Sequence, residues 1–175
     1  RAKRKKTSIS IARRGSTVLA ESDRRGSRAH IRALKKIRPA RAGHRKTGRH
    51  FGLHLTLDGY LANPRLLGNF ALVAHALAEL PKRMGMRALI PPYVVRAPGN
   101  RKKDPGGYSG FVMIQESHIS VHTFPARRFV SIDVYSCRNF RIEPAVSYFK
   151  RAFGIQKVEK NVVIRGKEYP HHNLV

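Results

Sequence analysis

Apolar and polar residues alternate from His50 to Leu57. Phe51, Leu53, Leu55 and Leu57 fall on one face of a strand, and His50, Gly52, His54 and Thr56 on the other. Asp58-Gly59 and Asn63-Pro64 mark the turn that follows. Phe70, Val73, Ala74 and Leu77 then repeat at helical spacing behind Asn69, a suitable cap. The helix is expected to end near Leu80, because Pro81 has no N–H to contribute, and Gly85 stops the segment. Arg87 to Val95 reads as extended, with Pro91-Pro92 confining that part to an edge or a bulge. Pro98 to Gly107 is a polar loop. Tyr108–Gln115, His118–Phe124 and Phe129–Ser136 read as three strands in succession. Pro144 suits the first turn of a helix reaching about Phe153, with Gly154 as its stop, and Lys157–Ile164 is a last strand. The pattern predicts an α+β fold: a two-layer sandwich, a mostly antiparallel sheet with helices on one face.

The first 48 residues break from this pattern. They are rich in Arg, Lys, Ser, Gly and Ala, and their few large apolar residues are scattered. Arg28 to Ile37 has the makings of a short basic helix with little to bury. Two domains are therefore expected: a basic, flexible tail over 1–48 and a folded domain over 49–175. Charge sharpens the division. The chain of 175 residues carries a formal +26 at pH 7, of which +16 lies in residues 1–50. A solvated tail and an arm that contacts a polyanion, such as RNA or DNA, both fit such a segment.

Composition excludes some classes. Cys137 is the single cysteine, so no intramolecular disulfide exists and the cytoplasm is the expected location. No apolar run approaches the roughly 20 residues that span a bilayer, so no membrane contact is expected.

Candidate chemistry is concentrated in Glu116-Ser117-His118-Ile119-Ser120-Val121-His122-Thr123-Phe124-Pro125. A carboxylate, a hydroxyl and two imidazoles stand at a turn between two strands. On the strand, His118, Ser120, His122 and Phe124 share one face; on the next, Ser131, Asp133, Tyr135 and Cys137 do. Antiparallel pairing is expected to bring His122 and Cys137 toward one pocket. A metal site is not expected: His118 and His122 are four residues apart, about 13 Å along a strand, too far for one zinc. A serine hydrolase lacks its Gly-x-Ser-x-Gly elbow here, although Asp133 is able to orient a histidine.

Tyr108-Ser109-Gly110, the Glu116–Pro125 run and Asp133-Val134-Tyr135-Ser136-Cys137 together resemble the prokaryotic S-adenosylmethionine decarboxylase proenzyme family, which is pyruvoyl-dependent. Phe51-Gly52-Leu53-His54-Leu55 with Asp58 and Tyr60 is similar to that family's opening strand, and Arg165-Gly166 also fits. The resemblance covers about residues 49–170. It implies that Ser117 attacks the Glu116 carbonyl, that the resulting ester is cut by β-elimination, and that a pyruvoyl group is left at position 117. That cofactor would hold the substrate amine as a Schiff base and accept electrons as CO₂ leaves. The same resemblance assigns His122 to proton transfer in processing, Ser109 to a supporting hydrogen bond, Cys137 to proton donation in turnover, and Phe124 to the substrate pocket. It also implies a homodimer of cleaved protomers acting on a small amino-acid-type molecule, for spermidine synthesis.

Two departures bear on substrate. The family's Trp-Pro-Glu after His-Thr is Phe124-Pro125-Ala126 here, so the carboxylate expected to bind a ribose diol is missing. Its Tyr-Gly-Cys after the first strand is Tyr60-Leu61-Ala62. Pyruvoyl-dependent decarboxylation of ornithine or arginine is therefore an alternative. A non-catalytic basic protein that grips nucleic acid is a second.

Overall fold

The computed structural model describes residues 21–36, 51–100, 104–170 and 172–174, with the backbone alone for 21–27. In chain order its elements are α1 (Glu21–Lys35), β1 (Gly52–Tyr60), α2 (Pro64–Leu67), α3 (Phe70–Met84), β2 (Tyr93–Ala97), β3 (Gly107–Ile114), β4 (Ser117–Phe124), β5 (Phe129–Ser136), α4 (Ile142–Phe153) and β6 (Lys157–Arg165). The six strands form one sheet in the order β2-β3-β4-β5-β1-β6, and every neighbouring pair is antiparallel. The α+β sandwich read from the alternation is the fold observed.

One face of the sheet packs on the helices. Leu55 and Leu57 of β1, Val112 and Ile114 of β3, Ile119 and Val121 of β4, and Val130, Ile132 and Val134 of β5 are buried. They meet Leu72, Val73, Ala76, Leu77 and Leu80 of α3 and Ala145, Phe149, Ala152 and Phe153 of α4. This apolar burial is the main stabilising contribution. Among the described residues, no helix covers the other face. It presents His54, Thr56 and Asp58 from β1, Ser109, Phe111 and Met113 from β3, His118, Ser120 and His122 from β4, and Ser131, Asp133 and Tyr135 from β5, each half-buried or exposed. The period-2 alternation therefore sorts chemistry from core on every central strand.

Local rules explain most boundaries. The Asn69 side chain accepts from the Leu72 N–H at 2.9 Å and caps α3, and Asn63 does the same for Arg65 at the start of α2. Gly85 and Gly154 end α3 and α4 in the left-handed conformation at φ 68° and 62°. Two expectations are corrected. Strand β1 runs through Asp58-Gly59, expected as a turn, to Tyr60. Helix α3 does not end near Leu80 but continues through Pro81 to Met84. Pro81 forgoes the N–H that would bond the Leu77 carbonyl, but the burial of Leu80, Pro81 and Arg83 and the Gly85 cap, where the Pro81 carbonyl accepts from Met86, carry the helix one turn further.

The segment expected as a basic tail holds a docked helix. In α1, Leu34 is buried against the core and Ile31 is partly so. The buried Arg83 of α3 donates to the Leu34 carbonyl at 2.7 Å, and His30 Nε2 bonds the Ala152 carbonyl at 3.0 Å. Arg83 thus satisfies a carbonyl at the negative end of α1, while its guanidinium lies over the Tyr148 ring at 5.3 Å. The helix finds in α3 and α4 the apolar partner that its own sequence lacks. Residues 1–20 and 37–50, which include His50, lie outside the described residues.

Candidate active site

Strand β4 begins at Ser117 and leaves β3 through the two-residue step Gln115-Glu116. That tight connection forces Ser117 to φ 149°, a region L residues rarely occupy. Such a conformation stores on the order of 1–3 kcal/mol and persists only where surrounding structure imposes it. The imposing contacts are visible. Cys137 donates its backbone N–H to the Glu116 carbonyl at 2.8 Å, and Ser117 pairs with Ser136 across β4 and β5. The strained serine, the preceding carbonyl and Cys137 therefore form one locus. The Ser117 hydroxyl lies 3.1 Å from His118 Nδ1. The Glu116 carboxylate is mostly buried, with Arg138 at 3.7 Å.

His122 stands elsewhere. It pairs with Ser109 on β3, and its Nδ1 is 3.0 Å from the Ser109 hydroxyl. The match of these two residues across the strands is direct. The expected approach of His122 to Cys137 is corrected by the register: His122 lies opposite Ser131, six residues before Cys137. Five residues also separate His122 from Ser117, about 17 Å along β4. Within this chain the candidate site is thus divided into a Ser117–Cys137 part and a His122–Ser109 part.

Between them runs a polar network that spacing alone did not reveal. Arg165 Nη1 donates to His54 Nδ1 at 3.3 Å, and His54 Nε2 meets Asp133 Oδ1 at 2.9 Å. Arginine can only donate, so His54 carries its proton on Nε2 and donates it to Asp133. Ser120 donates to the other Asp133 oxygen at 3.3 Å. Asp133 does orient a histidine, but it is His54 from β1. Tyr135 sits among these groups, flanked by His54 at 5.5 Å and His118 at 5.8 Å, with the Arg165 guanidinium 4.9 Å from its ring. The alternation placed these side chains on one face; only strand order made them neighbours.

At the far end of β4 the rings of Phe124, Phe129 and Tyr60 form a row, with centroids 5.6 Å and 5.3 Å apart. The row ends where the Tyr60 hydroxyl donates to Glu159 at 3.1 Å, and this bond raises the Tyr60 pKa. Ala126 lies exposed on the 3-10 turn Pro125–Arg127 and offers no side-chain acceptor. Among the described residues no cluster of three or more His, Cys, Asp or Glu is placed to hold a metal.

The S-adenosylmethionine decarboxylase family model matches residues 53–166, which contain every one of these groups. The chain belongs to the S-adenosylmethionine decarboxylase family. It is 30% identical over 120 residues to an S-adenosylmethionine decarboxylase proenzyme of Clostridium botulinum (strain Langeland), a match covering 68% of this chain and 97% of that one. It is 33% identical over 118 residues to the corresponding proenzyme of Pyrococcus horikoshii, covering 67% and 80%. Its fold is similar to the crystal structure of the Aquifex aeolicus adenosylmethionine decarboxylase, with a TM-score of 0.60 and 22% identity, over 72% of this chain and 99% of that one. No described helix is long and apolar enough to cross a membrane.

Proposed function

We propose how this family member makes and uses its reactive group. As an S-adenosylmethionine decarboxylase, the chain is a carboxy-lyase acting on a small molecule, and its product serves polyamine synthesis. Its relatives are named proenzymes, and Ser117 is the residue we assign to self-cleavage. The observation that carries this reading is the Glu116-Ser117 step itself. The serine is held at φ 149°, and the carbonyl before it is polarised by the Cys137 N–H at 2.8 Å. Attack of Oγ on that carbonyl relieves the strain and places negative charge where an N–H donor already points. The ends created are Glu116 and a residue 117 converted to pyruvoyl. When present, that group supplies a carbonyl that accepts electrons from the departing carboxylate.

Each remaining side chain has a task. Cys137 adjoins residue 117 and holds a thiol proton there for the product carbon. His122, oriented by Ser109, moves a proton in processing. Phe124 and its aromatic neighbours provide an aromatic wall for the substrate's base. A free thiol at Cys137 suits the reducing cytoplasm.

A second copy completes the site. Ser117 and His122 of one protomer are too far apart to act on the same atoms, but two copies packed open face to open face bring each serine toward the other's histidine. The exposed Tyr93, Val95, Phe111, Met113 and Val163 lie on that open face and supply apolar area for such a contact. A polyanion contact by the basic segment is a separate reading. It is supported by Arg28, Arg32 and Lys35 on docked α1 and Lys36 just after it, which remain exposed. Reversing those four charges should abolish salt-sensitive RNA binding; retained binding refutes the contact.

The deciding experiment compares the denatured intact mass of the protein with that of Ser117→Ala. Two fragments, 1–116 and a pyruvoyl-blocked 117–175, lost in the variant, are expected. A single uncut species in both refutes self-cleavage.

A further inference from the structure

Self-cleavage has two chemical halves, and the structure separates the groups able to serve them. We infer that His118 is the base that activates Ser117 in the first half, within one protomer; His122 keeps the processing role proposed above. This inference rests on the self-cleavage reading given above.

Geometry distinguishes the two histidines. His118 Nδ1 is 3.1 Å from the Ser117 Oγ, within reach for direct proton transfer. Its ring is held edge-on to Tyr135 at 5.8 Å, which limits its rotation. His122 is about 17 Å further along the same strand, and its Nδ1 is committed to Ser109. An intramolecular acyl shift needs its base beside the hydroxyl and its donor on the carbonyl. Both are present in one chain: His118 on Oγ, and the Cys137 N–H on the Glu116 oxygen at 2.8 Å.

The step balances on these groups alone. His118 keeps its ring proton on Nε2, and Nδ1 takes the Ser117 hydroxyl proton as the Oγ–C bond forms at the Glu116 carbonyl. The carbonyl oxygen becomes an oxyanion held by the Cys137 N–H. Collapse breaks the C–N bond, and the Ser117 nitrogen takes the proton back from His118. The result is an ester of Glu116 on Ser117 Oγ with a free amine, and a neutral His118. β-Elimination then needs a base at the Ser117 α-carbon, the processing role that His122 keeps.

The test uses the full chain as wild type, His118→Gln, His118→Ala and His122→Gln, each followed by intact mass with and without hydroxylamine. Hydroxylamine cuts an ester and spares an amide. His118→Gln is expected to remain uncut and hydroxylamine-resistant, forming ester about 100-fold more slowly. His122→Gln is expected to accumulate a hydroxylamine-labile ester, at a rate independent of protein concentration. Should His118→Gln fail to fold, added imidazole decides with His118→Ala: restored cleavage supports the assignment, and no restoration overturns it. Ester formation by His118→Gln at the wild-type rate also overturns it. A wild type that never cleaves fails the self-cleavage reading instead.

Discussion

The Cys137 N–H points at the Glu116 carbonyl from 2.8 Å, so under the proposed mechanism one residue serves the site twice: by its backbone at the bond proposed to be cut, and by its thiol as the proposed proton donor. The two services are separable, because a side-chain substitution leaves the N–H in place. Cys137→Ala should still convert to two fragments while losing about 100-fold or more in turnover. Fragment masses and carbon dioxide release from the same preparation check this.

The open sheet face should be an interface on which activity depends. Phe111→Asp puts a charge on an exposed apolar position of β3, away from Ser117 and from the core. Sedimentation should show dimer giving way to monomer, with turnover lost in parallel. A monomeric, fully active variant contradicts the shared site.

Helix α1 should stabilise the fold through Leu34. Removing its buried side chain opens a cavity against α3 and α4, so Leu34→Ala is expected to cost about 2–4 kcal/mol in urea denaturation. Self-cleavage should persist, since Leu34 packs on the helix side of the sheet.

His75 on α3 makes stability depend on pH. Burial holds its pKa below the usual histidine value, and its Nε2 is buried without a partner. The unfolded chain therefore binds a proton more readily than the folded one. Stability is fully present above the unfolded value of about 6.5 and falls as pH drops from there toward the folded value. His75→Gln should flatten the midpoint of denaturation between pH 7 and 5. An unchanged slope means that another group carries it.

The Asp133 bond to His54 should matter more for shape than for cutting. Asp133→Ala leaves His54 without its acceptor and is expected to cost about 1 kcal/mol, because both side chains are partly solvated. Fragment formation should change little, since neither residue touches the Glu116-Ser117 bond.

The strands and helices were legible in the chain because period-2 and 3.6-residue patterns, Asn caps and Gly stops act within a few residues. Phe129–Ser136 was read with its observed bounds, and Gly85 and Gly154 end their helices as expected. Pro81 misled, because the burial of Leu80, Pro81 and Arg83 outweighs the one helical bond that the proline forgoes. The candidate residues of the proposed site stood together for the same local reason: Glu116, Ser117, His118 and His122 lie within seven residues. What the sequence could not supply was register and strand order, which depend on contacts between segments far apart along the chain. Only the pairing of β4 with β5 set Cys137 beside Glu116 and put His122 opposite Ser131. Only the placement of β1 between β5 and β6 joined Asp133, His54 and Arg165. The docking of α1 was likewise invisible, since a helix poor in apolar residues is held, among the described residues, by Leu34, Ile31 and His30 and by Arg83 on another helix. Local chemistry named the candidates; long-range packing decided which of them meet.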